Sequence, residues 1–256
     1  MAENRGNPIL RLDKLCKSFG GVVTAKDVSF SVYPGEIKGL IGPNGAGKTT
    51  MMNMISGIYT ADSGDIYFDE KKITDQPDYM RARMGIGRTF QTPRFLQRSS
   101  IRDNLMIGAD LGNKIGYLGG FFGKSSKNFN EELDEMMSLL HFNFDWDDDI
   151  NSLPFGQRKL LEIVRSLLSH PKIIMVDEPA AGLNNKEIEY LTDILRMAAS
   201  KGIGVLLIEH SMDMIMDICQ SIVVLCFGVL IAEGTPEEIA NNNAVIEAYL
   251  GREDDD

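Results

Sequence analysis

Apolar and polar positions change their rhythm twice along this chain. In the first third they alternate. LRLDKLCKSF (10–19) and VSFSVYPGE (28–36) set apolar against polar residues one by one, the period of a strand with one buried face. EIKGLIG (36–42) reads as a short buried strand. It runs directly into a glycine-rich turn and the helical stretch MMNMISG, with Gly57 at the expected helix end. Another strand, GDIYFDE (64–70), follows a turn.

The middle third takes up helical spacing. SSIRDNLMIGA carries a serine cap, and EELDEMMSLL puts Leu133, Met136, Met137 and Leu140 on one face. Between them, GNKIGYLGGFFGKSSKN (112–128) holds five glycines and three aromatics. It reads as a mobile surface loop, with contact to a partner through its aromatics as the alternative. The last third alternates element types. KIIMV (172–176) and VLLI (205–208) are continuous apolar runs, as in parallel strands buried on both faces, and KEIEYLTDILRMAAS between them is helical. Strand, helix, strand predicts a βαβ crossover and an open α/β sheet.

Composition narrows this picture. A chain of 256 residues, 43% hydrophobic and 25% charged, fits one large globular α/β domain or one with a sizeable insertion. The net charge of −11 speaks against nucleic acid as a main partner, because duplex binding needs Lys and Arg to neutralise phosphates. Cys16, Cys219 and Cys226 form no CxxC pair, so neither a disulfide framework nor a zinc site is expected, and a reducing, cytoplasmic setting is. The start, MAENRGNP, has no apolar signal-peptide core. The longest apolar run, IVVLCFGVLI (222–231), is about half a membrane-spanning helix and contains a turn glycine. The tail REDDD reads as a solvated end.

The candidate chemistry lies at strand ends. GPNGAGKT, with Gly42, Pro43, Asn44, Gly45, Ala46, Gly47, Lys48 and Thr49, and with Thr50 following, fits the phosphate-loop pattern G-x-x-x-x-G-K-[ST]. Glycines let backbone N–H groups curl around phosphates, Lys48 supplies a point charge, Thr49 can ligate Mg²⁺, and the helix start adds its dipole. KIIMVDEP ends a strand in two carboxylates. Asp177 can hold the Mg²⁺ shell, and Glu178 can polarise an attacking water as general base. A DE pair alone is ordinary; beside a phosphate loop it carries weight. Gln91, in GRTFQTPRFL, ends a predicted strand and can reach Mg²⁺ or the attacking water; His210 ends VLLIEH at the carboxyl edge, where it is either a capping or loop residue or a hydrogen-bond partner of a γ-phosphate. Phe19 is either an adenine-stacking ring or a core residue. His141 and His170 receive no role.

The order phosphate loop, Gln91, FGQ, DEP, His210 resembles the ATP-binding cassette family, the ATPase subunits of ABC transporters, over nearly the whole chain. By that resemblance Phe19 matches the adenine-stacking aromatic, and Leu153, Pro154, Phe155, Gly156 and Gln157 match the signature motif. AAGLN (180–184) matches the loop after the DE pair. RTFQTPRF, LPFGQRKLLEI, DEPAAGLN, EGTPEEI and IEAYLG are similar to the branch that powers branched-chain amino acid importers, with urea and amide importers sharing parts of them. The resemblance implies ATP with Mg²⁺ at Thr49, Gln91 and Asp177, and Glu178, His210 and Gln91 as catalytic residues. It implies a permease and indirectly a substrate-binding protein as partners, and a place on the cytoplasmic face of the membrane. It also implies a second ATPase subunit packed head to tail, whose ATP is closed over by this chain's signature motif.

The usual signature is LSGGQ; here Pro154 removes a hydroxyl and an N–H. Gly156, Gln157 and the following helix still offer backbone donors, so LPFGQ is expected to be a working variant. Asn184 stands where many relatives carry aspartate, and CFG (226–228) is more apolar than a solvent-facing turn needs.

The fold expected is a P-loop NTPase α/β core with an antiparallel β subdomain and an inserted helical subdomain. Residues 1–256 form one ABC ATPase domain, 1–91 and 166–256 its core, and 92–165 the helical part with LPFGQ at its end. A soluble DNA-repair or translation ATPase of the same superfamily is the first alternative. It fits poorly with one cassette, 61 residues between Gln91 and Leu153, and an acidic chain. A P-loop GTPase or small-molecule kinase is the second; neither accounts for FGQ before DEP, and a GTPase would need N-K-x-D, where NKEI (185–188) fails at the last place.

Overall fold

The computed structural model describes residues 6–90, 92–112 and 126–250. The first strands, β1 (Leu10–Phe19) and β2 (Val22–Val32), form a hairpin. The second strand begins six residues before the predicted one. Gly20 and Gly21, at φ 53° and 89°, let the chain reverse at once, so that Phe19 already pairs with Val22. With β4 (Ser63–Phe68) and β5 (Lys71–Lys72) they complete an antiparallel sheet of order β2-β1-β4-β5.

The larger sheet collects β3 (Ile37–Ile41), β6 (Ile86–Arg88), β7 (Ile173–Asp177), β8 (Gly204–Ile208), β9 (Ser221–Cys226) and β10 (Val229–Gly234), in the order β10-β9-β3-β8-β7-β6. Its pairings are parallel except for β10 on β9. Strand alternation explains why it is apolar throughout. Ile37, Ile41, Ile174, Val176, Val205 and Leu207 face one core. Leu40, Ile173, Met175, Leu206 and Ile208 face a second core, shared with the small sheet and with Met51, Met52, Met54 and Ile55 of helix α1 (Lys48–Ser56). Each such fully buried side chain contributes about 1.5–3 kcal/mol.

The remaining helices are α2 (Asp78–Met84), α3 (Ile101–Gly112), α4 (Ser126–Leu140), α5 (Phe155–Leu167), α6 (Asn185–Ser200), α7 (Met212–Ile218), α8 (Pro236–Ala240) and α9 (Asn243–Leu250). The expected caps are present. Ser100 Oγ accepts the Asp103 N–H at 3.1 Å, and Gly57 closes α1 at φ 84°. Leu133, Met136 and Leu140 of α4 are buried as the spacing predicted. Helices α2, α7, α8 and α9 were not predicted from the sequence; α2 is too short to show a period, and it is fixed by Arg81. That buried guanidinium donates to the Met54 and Ile55 carbonyls at 2.6 and 2.9 Å and so closes the end of α1.

Of the loop expected over 112–128, Gly112 instead ends α3 and Ser126 to Asn128 open α4; residues 113–125 lie outside the described residues, as do Gln91 and the acidic tail. The apolar run 222–231 is the β9–β10 hairpin, and no helix among the described residues is long and apolar enough to cross a membrane. At the edge where β3, β7 and β8 end, Asp177 pairs with Ile208, so the phosphate loop, the DE pair and His210 leave the sheet side by side.

Candidate functional site

The phosphate loop follows β3 and is walled by two hairpins. Gly42 and Gly47 sit at φ 149° and 102°. A Cβ at Gly42 would run into the Leu225 carbonyl oxygen, and one at Gly47 into that of Thr24, so close approach as well as dihedral demands glycine at both. On the far side, the Gly228 N–H donates to the Ala46 carbonyl at 3.0 Å, and the Gly228 carbonyl accepts from the Lys26 N–H at 2.8 Å. The CFG turn therefore braces the loop, while the Phe227 ring is left 83% exposed. No side chain caps α1 at Gly47, so its first-turn N–H groups and positive dipole end remain open.

Lys48 is buried, and its Nζ donates to the Gly42 and Pro43 carbonyls at 2.7 and 3.0 Å. Burial pushes its ammonium below the usual lysine range, while the charges of Glu178 and Asp177 pull it back up. Ala46 is buried, Pro43 and Thr50 are half-buried, and Asn44, Gly45 and Thr49 are exposed.

Asp177 ends β7 in a buried position. Its Oδ1 has no hydrogen-bond partner among the described residues, and Oδ2 lies 3.8 Å from Arg88 Nη2. Burial raises its carboxyl above the ordinary range, against the pull of Arg88. Arg88 is itself fixed by Asn53 Oδ1 and Ser56 Oγ of α1, at 2.7 and 2.8 Å. An orphaned carboxylate oxygen at the same sheet edge as a first-turn threonine is the oxygen donor set that a hard divalent cation takes. Asp177 and Thr49 therefore fit Mg²⁺.

Glu178 stands one residue beyond the strand in a left-handed conformation, φ 48°. Such a backbone costs about 1–3 kcal/mol and persists only where neighbours enforce it. Its N–H donates to the Ile208 carbonyl at 2.9 Å, and its own carbonyl accepts from Lys159 Nζ at 2.7 Å. The carboxylate Oε1 then lies 2.9 Å from His210 Nε2. Buried Glu209 ties the two loops together, accepting from the Ala180 N–H at 2.6 Å and the His210 N–H at 3.0 Å. Lys48, Asp177, Glu178 and His210 thus come together at one edge of the sheet. Arg88, Lys159 and Glu209 were not foreseen; the visible signs were a lysine on an apolar helix face and a carboxylate in the strand end LLIEH.

Phe19 is exposed at the end of β1 and is not a core residue. Its ring meets Tyr59 edge to face at 5.2 Å, on the hairpin whose Thr24 carbonyl abuts Gly47. His170 pairs with Glu132 at the surface at 2.7 Å, and His141 meets Tyr190 edge to face at 5.7 Å.

LPFGQ forms the start of α5. Leu153 is buried, Gln157 is half-buried, and Pro154 takes the cap position, its carbonyl accepting from the Arg158 N–H at 3.1 Å. No side chain caps the helix, so the N–H groups of Phe155, Gly156 and Gln157 have no intrahelical acceptor. Phe155 is 42% exposed and lies over Gly182. A side chain on Gly156 would collide with the Glu187 carboxylate. Glu187 is held there by a capping box with Asn184, with bonds of 2.9 and 3.0 Å, so the Asn184 side chain serves its own helix α6.

On another side of α5, a cleft of about 570 Å³ opens between α2, β6 and α3, lined by Tyr79, Arg83, Arg88, Ile107, Glu162 and Arg165 among others. Glu162 is buried there. Its Oε1 accepts from the Arg94 N–H at 3.4 Å, its Oε2 has no partner among the described residues, and burial pushes its carboxyl up to about 7.

Residues 25–181 match the family model described as ABC transporter, and residues 229–255 match that of the branched-chain amino acid ATP-binding cassette transporter. The chain is 36% identical to the probable branched-chain amino acid transport ATP-binding protein LivG of Archaeoglobus fulgidus, over 96% of each chain. It is 38% identical to the high-affinity branched-chain amino acid transport ATP-binding protein LivG of Escherichia coli K12, over 95% of this chain and 98% of that one. The lipopolysaccharide export system ATP-binding protein LptB of Escherichia coli K12 is 35% identical, over 95% and 98%. Among solved structures, the ADP conformation of MJ1267, an ATP-binding cassette of an ABC transporter, superposes with a TM-score of 0.81 at 33% identity, covering 96% of this chain and all of that one. The phosphate loop, the DE pair and the histidine beside it thus stand in a chain that belongs to the ABC transporter family, as an ATP-binding ATPase subunit coupled to transport.

Proposed function

We propose that this chain powers the import of branched-chain or related amino acids, acting as one of two ATPase subunits packed head to tail beneath a permease on the cytoplasmic face of the membrane. The observation that carries the substrate class is the match of residues 229–255 to the branched-chain family, alongside relatives that bear that name.

In this reading Gly42 to Thr50 hold the phosphates of ATP, Phe19 stacks on the base, and Thr49 and Asp177, with Gln91, hold Mg²⁺. Bound there, Mg²⁺ would supply positive charge against the phosphates. Glu178 takes the proton of the attacking water while His210, 2.9 Å away, keeps the carboxylate aimed and meets the γ-phosphate. The open N–H groups of LPFGQ close over the partner's γ-phosphate. Residues 92–165 act as a helical subdomain, and the cleft beside Glu162 receives the permease. A substrate-binding protein delivers the cargo from outside.

Two tests bear on this. The Glu178→Gln chain binds ATP while its hydrolysis falls by about 10²–10⁴-fold, the usual worth of a general base; near-normal turnover removes Glu178 from that role. ATP-driven uptake of leucine, isoleucine or valine by vesicles carrying the assembled transporter supports import. A second reading, export, is favoured by the 35% identity to a lipopolysaccharide export subunit, and ATP-driven movement outward would select it.

A further inference from the structure

Lys159 breaks the pattern of its helix. It sits on the inward face of α5 between Gly156 and Ile163 and is only 4% exposed. A buried ammonium is costly unless it is fully hydrogen-bonded. This one spends its donors outside its own helix, on the carbonyls of Glu178 at 2.7 Å and Ala181 at 2.8 Å. The Phe155 ring stands 5.9 Å from it, and the carboxylates of Glu209, Glu178, Glu162 and Asp177 all face it electrostatically. The peptide of Glu178 is thereby gripped at both ends, its N–H by Ile208 of β8 and its carbonyl by α5. Those two grips hold the residue at φ 48°, and that backbone aims the carboxylate at His210.

We propose that Lys159 is a positioning residue for Glu178, a strut through which the Phe155–Gly156 helix start sets the left-handed turn carrying the carboxylate. This rests on the reading of Glu178 as the base. Its consequence for the pair of subunits is direct. The same helix start is the surface offered to the partner's nucleotide, so a shift of α5 on closure reaches this chain's own Glu178 through a single 2.7 Å contact. Engagement of one nucleotide then primes hydrolysis of the other.

The test compares Lys159→Met, Lys159→Gln and Lys159→Arg in the full-length chain, with kcat and ATP affinity measured separately. Lys159→Met is expected to lose about 10- to 100-fold in kcat, the scale of an ångström-sized misplacement of a catalytic group, with ATP affinity unchanged. Lys159→Arg, which keeps the charge and the donors, recovers most of that loss. In the Glu178→Gln background, Lys159→Met lowers the residual hydrolysis no further, since both changes act through one group. A folded Lys159→Met chain with kcat within about threefold of the parent, well under the loss expected, overturns the proposal. So does an equal fall of kcat and ATP affinity in Lys159→Met and Lys159→Arg alike, which would make the lysine merely structural. If Lys159→Met loses its cooperative thermal transition, Lys159→Gln is judged by the same kcat criterion. A Glu178→Gln chain that still turns over would instead sink the underlying assignment of the base.

Discussion

The helix starts at the phosphate loop and at LPFGQ, both without a side-chain cap, are built in opposite ways. At the phosphate loop every constraint is internal. Gly42 and Gly47 are forced by carbonyls of neighbouring strands, Lys48 is anchored on the loop's own carbonyls, and the β9–β10 turn holds the outer side. At LPFGQ the constraints fall on one side only. Gly156 is forced by Glu187 and Lys159 reaches inward, whereas Pro154 and Phe155 stand exposed. The first is a site complete within one chain. The second is supported from behind and open in front, as the proposed head-to-tail pairing requires. Its departures from the common signature fall at the exposed positions, and the glycine that faces the fold is kept.

Substitutions that treat the two starts differently sharpen this contrast. The largest effect is expected from Lys48→Ala, which weakens ATP binding by the isolated subunit roughly 100-fold through loss of a charge-assisted contact, read by nucleotide titration. Phe155→Asp should leave that titration unchanged yet abolish ATP-dependent pairing in light scattering on the Glu178→Gln background, because it sets a carboxylate against the partner's γ-phosphate. Pairing that survives the aspartate would mean LPFGQ is not the closing surface.

Deeper on the same helix, Glu162→Gln tests the supporting side. Its carboxyl rises from the ordinary 4.5 to about 7 on folding, so the folded chain binds the extra proton between those values. Stability is therefore full below the lower value, declines as pH rises through the window, and stays low above it. Removing the charge should raise stability at pH 8 by about 3 kcal/mol and leave it unchanged at pH 4, as denaturant curves at the two pH values would reveal. The smallest effect is Gly156→Ala, about 1–3 kcal/mol of overpacking against Glu187. It should be partly relieved when Glu187→Ala is added, as thermal midpoints of the single and double variants would show.

How much of this was legible in the sequence follows from how local each feature is. The phosphate loop is contiguous, and the buried strands announce themselves by apolar runs, so β3, α1, β7 and β8 lie where the pattern put them. The strand β2 began earlier than its pattern because two glycines, not hydrophobicity, decide where the hairpin turns. Residues acting across the sequence were silent. Lys159 meets Glu178 nineteen positions on, Glu209 meets Ala180 twenty-nine positions back, and Arg88 meets Asn53 thirty-five positions back. Nothing in the spacing of any one segment reports such a contact. The family resemblance could point to Glu178 and His210, whereas the left-handed turn that joins them needed coordinates.

The brace between Gly228 and Ala46 also has a consequence for biogenesis. Strand β3 is flanked in the sheet by β8 and β9, and its loop is closed by a turn 182 residues downstream. A chain emerging from the ribosome carries its phosphate loop and the β1–β2 wall early but lacks the β9–β10 wall until the final quarter has been made. Contacts of such separation form late and slowly. Any fragment truncated before residue 228 should therefore bind ATP weakly or not at all, however well its first sheet folds, as nucleotide titration would show.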